Sequence, residues 1–160
     1  MSFYRQKIEE INEDLRGLGW IENVYDLART GVDSEGTFPE VYNNDGTNYS
    51  TRALPHGKAM SFFTVNSSTQ IDETEYYETE LSLVVWADLT KVYSKPYDYT
   101  EELILEVKNV LNKHDAYNYS IDFEDVFNDY EQLDKLTNQN TMLPFTAFRI
   151  NFTVSLLLCF

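Results

Sequence analysis

The chain has 160 residues, the size of one domain, which argues against a two-domain enzyme. Apolar residues make up 42% of it, with 12 Tyr and 10 Phe among them, enough for one core and too many for a disordered chain. Twelve Lys and Arg against 27 Asp and Glu leave a formal charge of −15, which repels phosphate backbones and anionic bilayers, so neither sequence-specific nucleic acid nor membrane is expected as a partner.

Residues 3 to 18 place Ile8, Ile11, Leu15 and Leu18 three or four apart among acidic residues, with Ser2 as a candidate N-cap, and predict an amphipathic helix ended by Gly17 and Gly19. Trp20 to Arg29 reads as extended, and Gly31 to Gly36 as a polar stretch. Thr37 to Tyr42 is a short extended segment, which Pro39 confines to a strand end or an edge because proline has no N–H for the ladder. Asn43 to Asn48 has turn chemistry, and the segment to Gly57 reads as an exposed loop.

Lys58 to Ser67 alternates loosely around Met60, Phe62, Phe63 and Val65, before a polar break at Ser68-Thr69-Gln70. Tyr76 to Trp86 predicts a strand with one buried side, with Tyr77, Thr79, Leu81, Leu83 and Val85 opposite Glu78, Glu80 and Ser82. A helix follows, with Asp98 or Thr100 as cap, Glu101 and Glu102 at its positive end and a stripe of Leu103, Ile104, Val107, Val110 and Leu111, closed by Lys113 and His114. Residues 117 to 140 fit either a short strand through Ile121, Phe123 and Val126-Phe127 or a helical turn from Tyr130 to Leu136. Thr146 to Leu158 alternates in phase and predicts a long final strand. This order is that of an α+β domain over residues 1–160, a mainly antiparallel sheet packed on an N-terminal helix and one central amphipathic helix; no dinucleotide or P-loop glycine fingerprint occurs.

No apolar run reaches transmembrane or signal-peptide length, so the chain is expected in the cytosol after synthesis, and the sequons at Asn48, Asn66, Asn118 and Asn151 are chance matches. The single cysteine, Cys159, excludes an internal disulfide framework and a Cys-rich zinc site. His56, between Pro55 and Gly57, reads as an exposed loop residue, and His114 as a helix-end cation, so neither points to a catalytic pair. Asp122, Glu124, Asp125 and Asp129 form the densest acidic cluster and read as a solvated face. As a calcium loop, Val41 to Arg52 fails at both essential ends, where Val41 and Arg52 replace the first ligand and the final bidentate Glu. No catalytic, cofactor-binding or metal-binding residue is assigned, and no enzyme activity is expected. The tyrosines at 76, 77, 93, 97, 99, 117, 119 and 130 suit protein interfaces more than glycan stacking in a chain without a signal.

The order of elements resembles that of the tail terminator, or tail completion, proteins of long-tailed bacteriophages. The resemblance runs from the opening helix through Phe38-Pro39-Glu40-Val41-Tyr42, the long strand Glu80 to Trp86 and the helix Thr100 to Lys113, to Arg149-Ile150-Asn151-Phe152-Thr153-Val154 in the last strand. It implies a virion structural protein, not an enzyme. It further implies a ring, expected as a hexamer, that stacks on the tail-tube protein, ends tube polymerisation and offers a surface to the head-side connector protein. The chain would then reside in the virion tail or neck, and in the host cytoplasm before assembly. An acidic inner wall would let DNA pass without sticking. Residues 43 to 57 and 115 to 145 exceed what that layout needs, and the segment 43 to 58 is the expected contact loop. Two other readings stand beside it: an acidic carbohydrate- or protein-binding module, and a small hydrolase built on a carboxylate pair.

Overall fold

The computed structural model of the chain describes residues 3–34, 36–42, 48–50, 58–71, 76–123, 126–127, 130 and 145–157. Helix α1 (Phe3–Gly17) forms where the three-and-four spacing predicts it, and Ile8, Ile11 and Leu15 are fully buried. Gly19, at φ +82°, takes the left-handed turn that ends it, a conformation that costs a residue with a Cβ and costs glycine little. The buried Asn12 side chain donates to the Tyr25 carbonyl at 3.2 Å, tying α1 to the first strand, β1 (Asn23–Leu27).

The polar stretch after β1 is a strand rather than a loop. Strand β2 (Arg29–Asp33) pairs antiparallel with β3 (Gly36–Tyr42), which pairs in turn with β4 (Asn48–Ser50). Its polarity concealed it, because this small sheet turns few side chains inward and Val32 is left 73% exposed. Gly31 lies beneath the Phe38 ring, where a Cβ would come within 2.5 Å of the ring carbons, so only glycine fits. Pro39 sits in the middle strand of the three, against the expectation of an edge. Among the described residues β4 pairs with β3 from Glu40 to Tyr42, and Pro39 lies opposite Thr30 of β2.

The main sheet has the order β1-β5-β6-β8-β7, formed with β5 (Ala59–Ile71), β6 (Tyr76–Asp88), β7 (Tyr117–Asp122) and β8 (Phe145–Leu157). It is antiparallel except at β1, which runs parallel to β5. β5 passes straight through Ser68-Thr69-Gln70, where a break is predicted, because β6 pairs with it to Ile71. Between β6 and the central helix α3 (Thr100–Lys113) the chain makes one further helical turn, α2 (Leu89–Val92). Asp88 caps α2, its carboxylate accepting the Thr90 N–H at 3.0 Å. The predicted strand near residue 121 is β7, which stops at Asp122, one residue before Phe123; residues 131–140 lie outside the described ones.

Two cores lie on opposite faces of this sheet. On one, Leu81, Leu83 and Val85 of β6 and Phe148, Ile150, Phe152 and Val154 of β8 pack with Ile8, Ile11 and Leu15 of α1 and with Leu103, Ile104, Val107, Val110 and Leu111 of α3. On the other, Met60, Phe62, Val84, Trp86 and Ala147 pack with Val41 of β3 and with Val126, Phe127 and Tyr130. β6 is therefore buried on both faces from Leu81 to Asp88, and the expectation of one buried side is corrected: Ser82, Val84 and Trp86 face the second layer. The fold is α+β in three layers, with helices, a five-stranded sheet, and the small sheet together with Val126, Phe127 and Tyr130. Among the described residues no helix is long and apolar enough to cross a membrane.

Phe152 is 2% exposed, with its ring centroid 6.4 Å from that of Phe63. Phe152→Ala should cost about 3–5 kcal/mol in urea unfolding, by lost transfer energy plus a cavity; an unchanged midpoint would mean that this core does not carry the fold.

Candidate functional site

At one end of the sheet β5, β6 and β8 align through Ala59, Ala87 and Thr146, and β7 stops at Asp122, opposite Arg149. The chain leaves β6 at this end through α2, turns through residues 93–99 and re-enters as α3. The tyrosines of that turn converge on one lysine. Tyr99, 2% exposed, anchors it: its hydroxyl donates to the Leu89 carbonyl and accepts the Tyr93 N–H at 2.8 Å. The Tyr93 and Tyr97 rings pack on Tyr99 with centroids 5.6 and 6.4 Å away. Lys95 Nζ lies 5.4, 5.9 and 5.5 Å from the centroids of Tyr93, Tyr97 and Tyr99, within cation–π range, and pairs with Glu102.

Two glutamates of α3 complete the cluster. Tyr97 donates to Glu102 at 3.1 Å and Tyr93 to Glu106 at 3.1 Å. The hydrogen bond between Lys95 and Glu102 raises the lysine above its ordinary range and lowers the carboxyl below its own. Burial first, and then the Glu106 carboxylate, raise the Tyr93 phenol above 10.0. Position alone hinted at this cluster, since residues 93, 95 and 97 alternate as Tyr-Lys-Tyr, but the glutamates come from the next element and only packing brings them near.

Beside this turn a cleft of about 380 Å³ is lined by Asp98, Thr100, Glu101, Phe123, Thr146 and Ala147. The N-cap of α3 is Tyr99, neither of the two predicted residues; Asp98, one residue before it, accepts at Oδ1 the Thr100 N–H at 3.0 Å and the Thr100 hydroxyl at 2.5 Å. Thr100 and Thr146 hydroxyls lie 2.9 Å apart on the cleft floor, and Phe123 is 54% exposed at its side.

A third feature crosses the second face of the sheet. Asn66 donates to Ser82 at 2.7 Å, Ser82 to Asn151 at 2.5 Å, and Asn151 to Asp122 at 2.8 Å and Ser120 at 3.1 Å, one polar rung through β5, β6, β8 and β7. Tyr117 bonds Glu78 at 2.8 Å further along the same strands. The buried Arg149 donates to Thr64 at 3.0 Å and to the Val126 carbonyl at 3.5 Å, holding the covering segment to the sheet.

Of the residues weighed for chemistry, His114 and Asp122 are described, and they have different partners. His114 Nε2 is 2.7 Å from Asp14, where the C-terminal ends of α3 and α1 meet, far along α3 from the cleft. Asp122 is a member of the polar rung, whereas Glu124, Asp125 and Asp129 lie outside the described residues, as do His56, Cys159 and most of 41–52. Among the described residues no three His, Cys, Asp or Glu are grouped to hold a metal ion. Of the tyrosines, Tyr99 and Tyr130 are core residues, Tyr93, Tyr117 and Tyr119 are half-buried, and Tyr97 is exposed. The chain matches no protein-family model, no curated protein and no solved structure.

The Tyr93 environment has a measurable consequence. Burial likewise raises the Tyr117 and Tyr119 phenols, so in an absorbance titration of tyrosinate a late-ionising group of phenols should appear, and Glu106→Gln should move one of them, Tyr93, earlier without restoring an ordinary value, since burial persists. Because the folded phenol holds its proton more tightly, its share of stability is complete below pH about 10 and is lost as pH rises through the raised value. A titration identical in the two proteins would exclude the Glu106 contact.

Proposed function

We propose that the chain is a virion structural protein that caps the tail tube as a ring, ends tube polymerisation and joins the tail to the head-side connector. The observation that carries this reading is the layout. The five elements on which the resemblance rests form at Phe3–Gly17, Gly36–Tyr42, Tyr76–Asp88, Thr100–Lys113 and Phe145–Leu157. Four of them meet in one core, and Val41 of the Phe-Pro strand covers the opposite face of the same sheet. A charge of −15 on each copy suits the wall of a DNA conduit, which must pass a polyanion without holding it.

The direct test is polymerisation of the tail-tube protein in the presence of this chain. Tubes of limited length with the chain at one end, seen by electron microscopy with gold-labelled antibody, are the expected result. Unlimited tubes, or label elsewhere in the particle than tail or neck, would reject the reading. Ring formation by the purified chain should strengthen from low to physiological ionic strength, where repulsion between acidic copies is cut to a range of about 8 Å. Light scattering behind a sizing column reads this directly, and a monomer at every salt would count against the ring.

The cleft favours one other reading. An exposed Phe123 beside Asp98 and Glu101 would suit a cationic side chain of a protein partner, as an acidic binding module requires. Such a module would bind its partner as a monomer.

A further inference from the structure

Strands β5, β6 and β8 continue together beyond both neighbours. β1 pairs with β5 only from Met60 to Phe63, and the last bond on that side is Ala28 N–H to the Phe63 carbonyl at 2.8 Å. β7 pairs with β8 only from Arg149 to Thr153. The inner ladder nevertheless runs on, with Ser67 opposite Glu80 and Glu80 opposite Thr153 at its base, and with Ile71 opposite Tyr76 and Tyr76 opposite Leu157 at its tip. The result is a three-stranded extension, five residues long, whose two outer edges have no partner strand among the described residues. Each edge presents a row of main-chain N–H and C=O groups.

Soluble proteins ordinarily blunt such edges with charges, proline, bulges or brevity. The shorter outer strands here do so: β1 has five residues and an Asp26, and β7 carries Asn118 at φ +56° and ends on Asp122. The extension has one such device on its outer edges, the irregularity between Val65 and Ser67, after which pairing resumes in register. Ser67-Ser68-Thr69-Gln70-Ile71 and Val154-Ser155-Leu156-Leu157 contain no charged residue, proline or glycine, in a chain with 39 charged residues by the same count. Charge has been kept off both edges at once, at the same end of one sheet.

We infer that these two edges are made for each other: the outer edge of β5 in one copy pairs, main chain to main chain, with the outer edge of β8 in the next. The directions are compatible. β5 and β8 are each antiparallel to β6 and so parallel to one another, and a rotation about a ring axis preserves the component of strand direction along that axis, so strands inclined along the axis meet as a parallel pair, as β1 and β5 already do. The contact joins two different edges, so it is heterologous and propagates into a ring when the rotation closes. Main-chain pairing also answers the charge problem, because copies at −15 associate through backbone groups and not through ion pairs. The contact rests on the ring reading above and specifies its interface. With six copies the extensions would supply roughly eighteen strands, a number at which closed barrels leave an open channel.

Proline substitution tests the edges without adding charge. Successive N–H groups of a strand alternate between its two sides, so in each pair Ser68→Pro with Thr69→Pro, and Ser155→Pro with Leu156→Pro, one variant removes only an outward N–H. The outward variant should keep the parent's circular dichroism and melting temperature and elute as a monomer where the parent elutes as a ring. A second measurement does not depend on tolerance of proline. A chain with Cys159→Ser, Ser68→Cys and Ser155→Cys, treated with a short bis-maleimide, should give a covalent ladder up to the ring, while each single-cysteine chain stops at dimer or below. Rings that persist in folded proline variants, or a ring that yields no ladder, would overturn this contact and leave the ring reading standing. A parent that is monomeric at all concentrations and salts would overturn both.

Discussion

The structure depends on burying β6 on both of its faces. A central strand with one wet face needs one covering layer; this one, from Leu81 to Asp88, has none of its residues in water and needs two. The helices supply the first, through α1 and α3, and the small sheet with Val126, Phe127 and Tyr130 supplies the second. Most of what is unusual in the chain follows from that demand: the β2–β3 hairpin leaves the main sheet directly after β1 in order to bring Val41 over Met60, Phe62, Val84 and Trp86. Within that hairpin Phe38 packs over Gly31, where a Cβ would come within 2.5 Å of the ring.

Among the described residues the apolar second core spans only part of the sheet, and polar side chains gather beyond it. Toward Trp86 the second face is apolar and dry, and from Ser82 onward it becomes a rung of amides and hydroxyls with Asn66 and Asn151. A buried serine flanked by two amides has its hydrogen-bonding capacity filled, which avoids the penalty of a lone buried hydroxyl. The same strands then run on as the three-stranded extension. Passing along β6 from Asp88 to Tyr76, the strand leaves a core closed on both faces and keeps only β5 and β8 as its neighbours.

The opposite end of the sheet is organised by charge instead. Lys95, with three tyrosine rings around it and Glu102 against it, holds the 93–99 turn in place at the start of α3. Exposed ion pairs contribute little by themselves, so the order of this turn rests on the buried Tyr99 and its two backbone partners. An acidic protein that places one of its few lysines here uses it to neutralise its own carboxylates rather than to reach outward.

Local pattern settled the elements, and only packing settled their neighbours. The spacing of Ile8, Ile11 and Leu15, the stripe from Leu103 to Leu111 and the alternation through Phe148, Ile150, Phe152 and Val154 determined two helices and a strand, because a period of 3.6 or 2 is written in adjacent residues. The α+β class followed from their order. What adjacent residues do not encode is which side of a strand meets which partner, and so the parallel β1, the polar β2, the strand continuing through Ser68-Thr69-Gln70 and the second buried face of β6 were decided by tertiary structure. The candidate site was the least legible part, for the same physical reason. Tyr93, Lys95, Tyr97 and Tyr99 are visible as a run, but Glu102 and Glu106 join them only when α3 turns back along the sheet, and how far β1 and β7 flank β5 and β8 is set only once each strand has found the length over which it pairs.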